Sequence, residues 1–212
     1  MSRVKRHSIK KKAEKPVPKK EPFMTKKMLW TFIIGGLMVA SVFGIMFSSF
    51  NSGQEENTYG DYTFSRTKFG WATEIDGKQA EFDYLPQDVE ELNVSAEVIQ
   101  KLVDSRVLYI TFDPNSKIVD KFELMRYRFS GALGDSFGKY VMPGVTNHTE
   151  AYAGQPLVDC GNATAATPVI HVTEGNETVV VLDGDCITIE AYEFAVGAVK
   201  DRLLYGMFGI LE

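Results

Sequence analysis

From Met28 to Phe50 the chain reads MLWTFIIGGLMVASVFGIMFSSF, 23 residues without a charged side chain. As a helix this stretch would be about 34 Å long, against about 30 Å for the hydrocarbon core of a bilayer. It predicts a transmembrane helix over 28–50. The chain is thereby divided into a short arm before the helix and a large domain after it.

Charge orients the division. The first 27 residues hold eleven Lys/Arg against Glu14 and Glu21, net +9, while residues 51–212 hold 12 Lys/Arg and 26 Asp/Glu, net −14. Basic residues beside a span resist translocation, so the N-terminus is expected in the cytoplasm and the C-terminal domain outside the cell membrane. A cleaved signal peptide would have an apolar region of about 7–15 residues and a small-x-small cleavage site. Here the run is longer and ends Phe47-Ser48-Ser49-Phe50, which favours an uncleaved, single-pass signal anchor. Gly35, Gly36 and Gly44 form no Gly-x-x-x-Gly pair, so nothing specific marks the helix for self-association.

The arm, residues 1–27, is too charged and too poor in large apolar residues to bury a core, and is expected to be disordered. Its partners are expected to be the lipid bilayer and anionic lipid headgroups, at about 1 kcal/mol per basic residue near the surface. The same charge would suit an acidic partner such as RNA. The plainer reading, a topology determinant that also touches headgroups, involves no nucleic acid.

Four Asn-x-Ser/Thr sequons follow the span, at Asn93, Asn147, Asn162 and Asn176, out of seven Asn in residues 51–212. They predict N-glycosylation, and with it an archaeal or eukaryotic surface. Cys160 and Cys186 are expected to form one structural disulfide, which in an oxidising compartment would stabilise the fold by about 3–4 kcal/mol. A redox-active pair would need Cys-x-x-Cys spacing or an activated thiolate, and this spacing offers neither.

Residues 51–62 read as a polar stalk and 63–212 as an extracytoplasmic α/β (α+β) domain. Asp76-Gly77 is the pair a type I′ hairpin turn favours. Folding there sets Thr73 opposite Ala80, Trp71 opposite Phe82 and Phe69 opposite Tyr84, with Glu74, Gln79, Glu81 and Asp83 on the polar face. Ser95 is a suitable N-cap for a helix through Leu102. Val107–Phe112 reads as a central strand. Asp113-Pro114-Asn115-Ser116 is expected to turn the chain and cap a helix with the stripe Ile118, Phe122, Met125, Phe129 and Leu133, ending at Gly134 and Gly138. Residues 139–145 give the second strand of a β-α-β unit. A third strand from Thr167 is expected to turn at 174–177 and pair with 178–182. Asp183-Gly184-Asp185 then interrupts or bulges the return strand before 186–190, and a last helix runs from about Tyr192 to Met207. The apolar end, Leu203–Leu211, is expected to dock on the domain itself, the alternative being a patch for a partner or the membrane.

The order β-α-β then β-β-α, with Pro168 opening the third strand, resembles a degenerate thioredoxin-like fold. That resemblance implies a cis proline at Pro168, but the place after the first strand reads Phe112-Asp113-Pro114-Asn115, without Cys-x-x-Cys, which speaks against the family's redox activity. An ordinary trans proline at a strand start is the other reading. The combination of 159–164, 168–170 and 201–206 is similar to uncharacterised single-pass membrane proteins of small archaea, which implies topology and habitat.

Chemistry-bearing motifs are few. His148 falls in a sequon and His171 on a strand; Asp183-Gly184-Asp185 lacks the further ligands of a calcium loop. Glu74, Glu81 and Asp83 read as a solvated face. No catalytic residue, metal or cofactor is expected. The reading is a non-catalytic binding or membrane-complex accessory protein with an unidentified membrane or surface partner. The alternatives are an extracytoplasmic thioredoxin-like redox or folding factor, or a secretion accessory.

Overall fold

The computed structural model describes residues 26–50 and 55–212, with side chains in the first stretch described from 28 to 41. It divides into two units, residues 1–53 and 54–212. The basic arm before residue 26 lies outside the described residues. So do 51–54, the first part of the expected stalk.

In the first unit, α1 (Lys26–Phe50) is a 25-residue helix. Every described side chain on it is exposed, including Trp30 at 63 %, Phe32 at 64 % and Met38 at 70 %. Counting only the described residues, no helix is long and apolar enough to cross a membrane.

The second unit opens with a four-stranded antiparallel sheet of β1 (Glu56–Tyr59), β2 (Tyr62–Arg66), β3 (Trp71–Ile75) and β4 (Lys78–Phe82), in that order. Residues 56–62 are therefore strand and turn, where a stalk was expected. Tyr59 pairs with Tyr62 around Gly60, whose φ of 56° supplies the positive value a tight hairpin needs. This outermost strand buries little, so its sequence shows no apolar alternation. The β3–β4 register is the expected one, with Trp71 opposite Phe82 and Thr73 opposite Ala80. Asp76 and Gly77 both have positive φ, 51° and 76°. Pairing stops at Phe82, so Phe69 and Tyr84 fall outside it, and Phe69 is exposed.

Next come α2 (Pro86–Val89) and α3 (Ala96–Asp104), the latter capped by the Ser95 side chain, which accepts from Val98 N at 3.4 Å. β5 (Val107–Phe112), α4 (Val119–Phe137) and β6 (Tyr140–Pro143) make the β-α-β unit, with Val107 beside Tyr140 in a parallel register. The α4 stripe is buried as expected, and the helix ends on Gly138 in the left-handed region. Its start differs. The N-cap is Ile118 without a side-chain bond, because Asp113 bonds Asn115 and closes a turn instead.

Two 3₁₀ turns, Glu150–Tyr152 and Cys160–Asn162, punctuate the loop leading to β7 (Val169–Glu174), β8 (Val179–Asp183), β9 (Cys186–Ala191) and α5 (Ala195–Met207). The second sheet has the order β6-β5-β7-β9-β8. Here the topology departs from expectation. β7 pairs with β9, in parallel, and not with β8. β8 instead makes a hairpin with β9 through Gly184, φ 59°, with Asp183 opposite Cys186. Asp183-Gly184-Asp185 is thus a hairpin turn, not a bulge. The β-β hairpin on which the thioredoxin-like resemblance rested is absent in that form.

α5 is buried almost all round and packs against α2, α3, α4 and β9. Phe82 of the first sheet stacks on Tyr205 with ring centroids 4.3 Å apart. Ile110, Phe112, Ile170, Val172, Ile187 and Ile189 point into the same core, and Leu203, Leu204 and Leu211 complete it. The apolar C-terminal segment docks on its own domain. The opposite face of the second sheet is covered by the loop before β7, where Val158 packs with Val169 and Cys186.

Candidate functional site

α5 carries three consecutive charged residues, Lys200, Asp201 and Arg202, and all three are at least 97 % buried. Charges at such depth must be paired, and their partners define the site. Asp201 Oδ2 accepts the backbone N–H of Asp83 at 2.7 Å and of Tyr84 at 2.9 Å, just beyond the end of β4. Its Oδ1 lies 2.6 Å from Lys200 Nζ in an ion pair. Lys200 also reaches Asp83 Oδ2 at 3.1 Å, and Arg128 from α4 bonds the other oxygen of Asp83. Two carboxylates and two cations thus join β4, α4 and α5. Burial raises the Asp201 carboxyl to about 6, against the lowering influence of Lys200 and of the N–H donors. Tyr205 donates to the Tyr84 carbonyl at 2.6 Å, and burial raises its hydroxyl pKa.

Arg202 serves a different contact. Its Nε donates to the Leu92 carbonyl at 3.0 Å and its guanidinium also bonds the Glu212 carbonyl, tying down the chain end.

The charge cluster forms one end of a cleft of about 1120 Å³ between β4 and the outward face of α4. Gln79 and Glu81 stand on one wall, Tyr127, Gly131 and Asp135 on the other, with Phe208 among the lining residues. Tyr127 is 77 % exposed and Phe69, also lining the cleft, 72 %. Deeper in, Arg126 donates to the Gly144 carbonyl at 3.0 Å and to Glu123 at 2.8 Å, and its guanidinium sits over the Phe112 ring.

The residues expected to matter from sequence gather elsewhere, at the second sheet's covered face and in the loops. Cys160 and Cys186 are joined in a disulfide with Cα atoms 5.3 Å apart, which staples the exposed Cys160–Asn162 turn to the buried start of β9. His171 Nδ1 lies 4.0 Å from Cys160 Sγ. Burial lowers the His171 pKa, opposed by Asp159 and Asp113. Asn93, Asn147, Asn162 and Asn176 are all exposed and outside helix and strand proper, apart from Asn162 in its 3₁₀ turn. Asn162 Oδ1 accepts from Asp159 N at 2.9 Å, which leaves Nδ2, the atom a glycan would join. The Thr167–Pro168 bond is trans, there being no cis peptide among the described residues. Pro168 precedes β7, and its carbonyl accepts from Tyr109 N at 3.0 Å. His148 is exposed in its loop. Asp185 is held by Lys101 at 2.6 Å, which accounts for one of the two carboxylates of the Asp183-Gly184-Asp185 turn.

The Lys200–Asp201–Asp83–Arg128 cluster was not visible as a site in the sequence, where Asp83 reads as part of a solvated hairpin face. One signal was present. A Lys-Asp-Arg triplet inside a helix flanked on every side by Val199, Leu203, Leu204 and Tyr205 leaves its charges nowhere exposed to point.

Compared with family models, curated proteins and solved structures, the chain matches none.

Proposed function

We propose that this chain is a single-pass, N-in membrane protein whose C-terminal domain stands outside the cell membrane as a non-catalytic binding module of a membrane complex. Two features support the anchor. The uncharged run 28–50 follows a net +9 arm, and Trp30, Phe32 and Met38 of α1 are exposed, as lipid-facing residues would be. The exposed sequons and the closed disulfide suit an oxidising, glycosylating exterior.

The observation that carries the binding role is the cleft. It is large enough for a ligand segment and has exposed aromatic side chains in its lining, as recognition sites commonly do. Its buried and half-buried charges are already committed: Asp83 to Arg128 and Lys200, Arg126 to Glu123 and to the Gly144 carbonyl. Such groups position walls better than they transfer protons. A thioredoxin-like redox role draws no support from a trans Pro168, a sheet without the β7–β8 hairpin, or cysteines 26 positions apart.

Photo-cross-linking of the intact protein in its native membrane tests the proposal. With Tyr127→p-benzoylphenylalanine in the cleft, light should join the protein to one stoichiometric partner. With Tyr192→p-benzoylphenylalanine, away from the cleft, that product should be missing. Equal products from both positions, or none from Tyr127, would overturn the binding role. Protease digestion of sealed membranes tests the anchor separately: the domain beyond residue 55 should be cut from outside and the N-terminal arm protected.

A further inference from the structure

β4 is the last strand of the first sheet, and its free edge overhangs α4. A two-residue hairpin loop makes the flanking pair Ile75–Lys78 a hydrogen-bonded one, after which bonded and non-bonded pairs alternate. The N–H and C=O groups of Lys78, Ala80 and Phe82 therefore face β3, and those of Gln79 and Glu81 face outward along the cleft. Among the described residues no hydrogen bond to these outward groups is found. A row of unpaired strand groups is a template for another strand. Here the space beside it is open, because opposite the edge stands Gly131, where an added Cβ would meet nothing within 4 Å.

The charge of the cleft selects the kind of strand. Asp83 and Glu123 are neutralised by Arg128, Lys200 and Arg126. Glu81, on the cleft wall, has no ion-pair partner among the described residues, whereas Lys78 Nζ already reaches the Asp135 carbonyl at 3.4 Å. We propose that an extended peptide segment carrying basic side chains binds here by adding a fifth strand to β4 over α4. Its backbone pairs with Gln79 and Glu81. Alternate side chains face either Glu81 on the outer sheet face or the apolar floor around Phe208, as the two-residue period of a strand requires. This deepens the binding reading above and rests on it.

The probe is the blocked peptide Ac-Val-Lys-Val-Lys-Val-NH2, matched to the five residues of β4. Controls are Ac-Val-Glu-Val-Glu-Val-NH2 and a version of the probe N-methylated at its pairing amides. Binding to the full chain in detergent micelles is read by fluorescence anisotropy, and amide exchange is followed at Gln79 and Glu81. The expected result is saturable binding of the basic probe below about 1 mM and at least about tenfold weaker binding of both controls. Exchange at Gln79 and Glu81 should slow on saturation while Ala80, already paired to β3, stays unchanged. Gly131→Trp, which fills the open space, and Gln79→Pro, which removes an outward donor, should each abolish probe binding. Gly131→Trp should leave the thermal unfolding midpoint unchanged, which keeps the test informative if the proline variant does not fold. No binding of the basic probe, equal binding of the acidic or N-methylated peptide, or undiminished binding to Gly131→Trp would overturn strand addition. A cross-linked partner from Tyr127 together with a failed probe would sink this inference and spare the binding role; loss of the Tyr127 product would sink both.

Discussion

Asp201, midway along α5, accepts the backbone N–H of Asp83 at 2.7 Å across 118 positions of the chain. A second bond, from Tyr84 N, goes to the same oxygen. Two donors that would be left unsatisfied where β4 ends are thereby met by a helix of the core, and the first sheet is fastened to it. Removing the carboxylate would strand both donors and leave Lys200 with Asp83 alone. Asp201→Ala is expected to destabilise the domain by about 3–5 kcal/mol, the range for breaking a buried charge pair. Asp201→Asn keeps an acceptor for the N–H groups and should cost less. Denaturant unfolding of both variants checks this; equal stability of Asp201→Ala and the parent would refute the clamp.

The same carboxyl predicts a pH dependence. Its pKa is raised by burial from 3.8 to about 6 on folding. The folded state therefore holds this proton more tightly than the unfolded chain does, so Asp201's contribution is fully present below about pH 4 and is lost as pH rises through about 6. The measurement is the difference in unfolding free energy between parent and Asp201→Asn from pH 4 to pH 7. The parent should lose stability relative to the variant as pH rises across that window, and a flat difference would show that Asp201 titrates normally.

Gly70 offers a steric prediction. Its φ is 159°, and a Cβ built on it would fall 2.1 Å from the Phe82 carbonyl oxygen, a backbone atom fixed in the hairpin. Gly70→Ala must push β3 and β4 apart at the Trp71–Phe82 pair, and a loss of about 2–3 kcal/mol is expected, in the range of forced overpacking. Gly131→Ala, where nothing lies within 4 Å, should be neutral or slightly stabilising as a helix substitution. Comparing the two thermal midpoints isolates the contact from any general cost of replacing glycine.

What was legible in the sequence is what local chemistry determines. Asp76-Gly77 set the hairpin register because both turn residues need positive φ. The three- and four-residue spacing of Ile118, Phe122, Met125, Phe129 and Leu133 marked the buried side of α4. The partner of β8 was not legible, since Glu174–Glu177 and Asp183–Asp185 both carry turn residues. A two-residue turn on Gly184 joined β8 to β9, and the parallel β7–β9 pairing it permits spans a crossover that no local pattern reports. β1 escaped notice because a four-residue edge strand with no fully buried residue carries no apolar alternation in its sequence. The cleft was hidden for a further reason. Asp83, Arg128 and Lys200 come from three elements, and a carboxylate beyond β4 looks solvated until α4 and α5 are laid against it.

The disulfide should hold a loop more than a core. Cys160 is exposed in its 3₁₀ turn, whereas Cys186 is 3 % exposed at the start of β9. The joint variant Cys160→Ser with Cys186→Ala is expected to lower stability by about 2–4 kcal/mol. Amide exchange should quicken first over 157–167, where Val158 and Ala163 pack on that face, and last in β5. Native protein should take up no thiol label until it is reduced. Labelling of both cysteines without reductant would contradict the bond.

His171 lies beneath that loop, half-buried, with Asp113 and Asp159 near enough to oppose the effect of burial. Its folded pKa lies below the ordinary 6.5. For a base so depressed, the unfolded chain takes up the proton first. The stability it lends is present above about pH 6.5 and is lost as pH falls toward its folded value. This runs opposite to the Asp201 dependence, so the two can be separated by variant. His171→Gln should remove a loss of stability on acidification from pH 7 to pH 5, seen as a smaller drop in unfolding midpoint than the parent shows. If protonation also loosens the loop, exchange at 159–163 in the parent should rise over the same interval and stay constant in His171→Gln. Identical pH profiles for parent and variant would show that His171 does not couple protonation to the packing of this face.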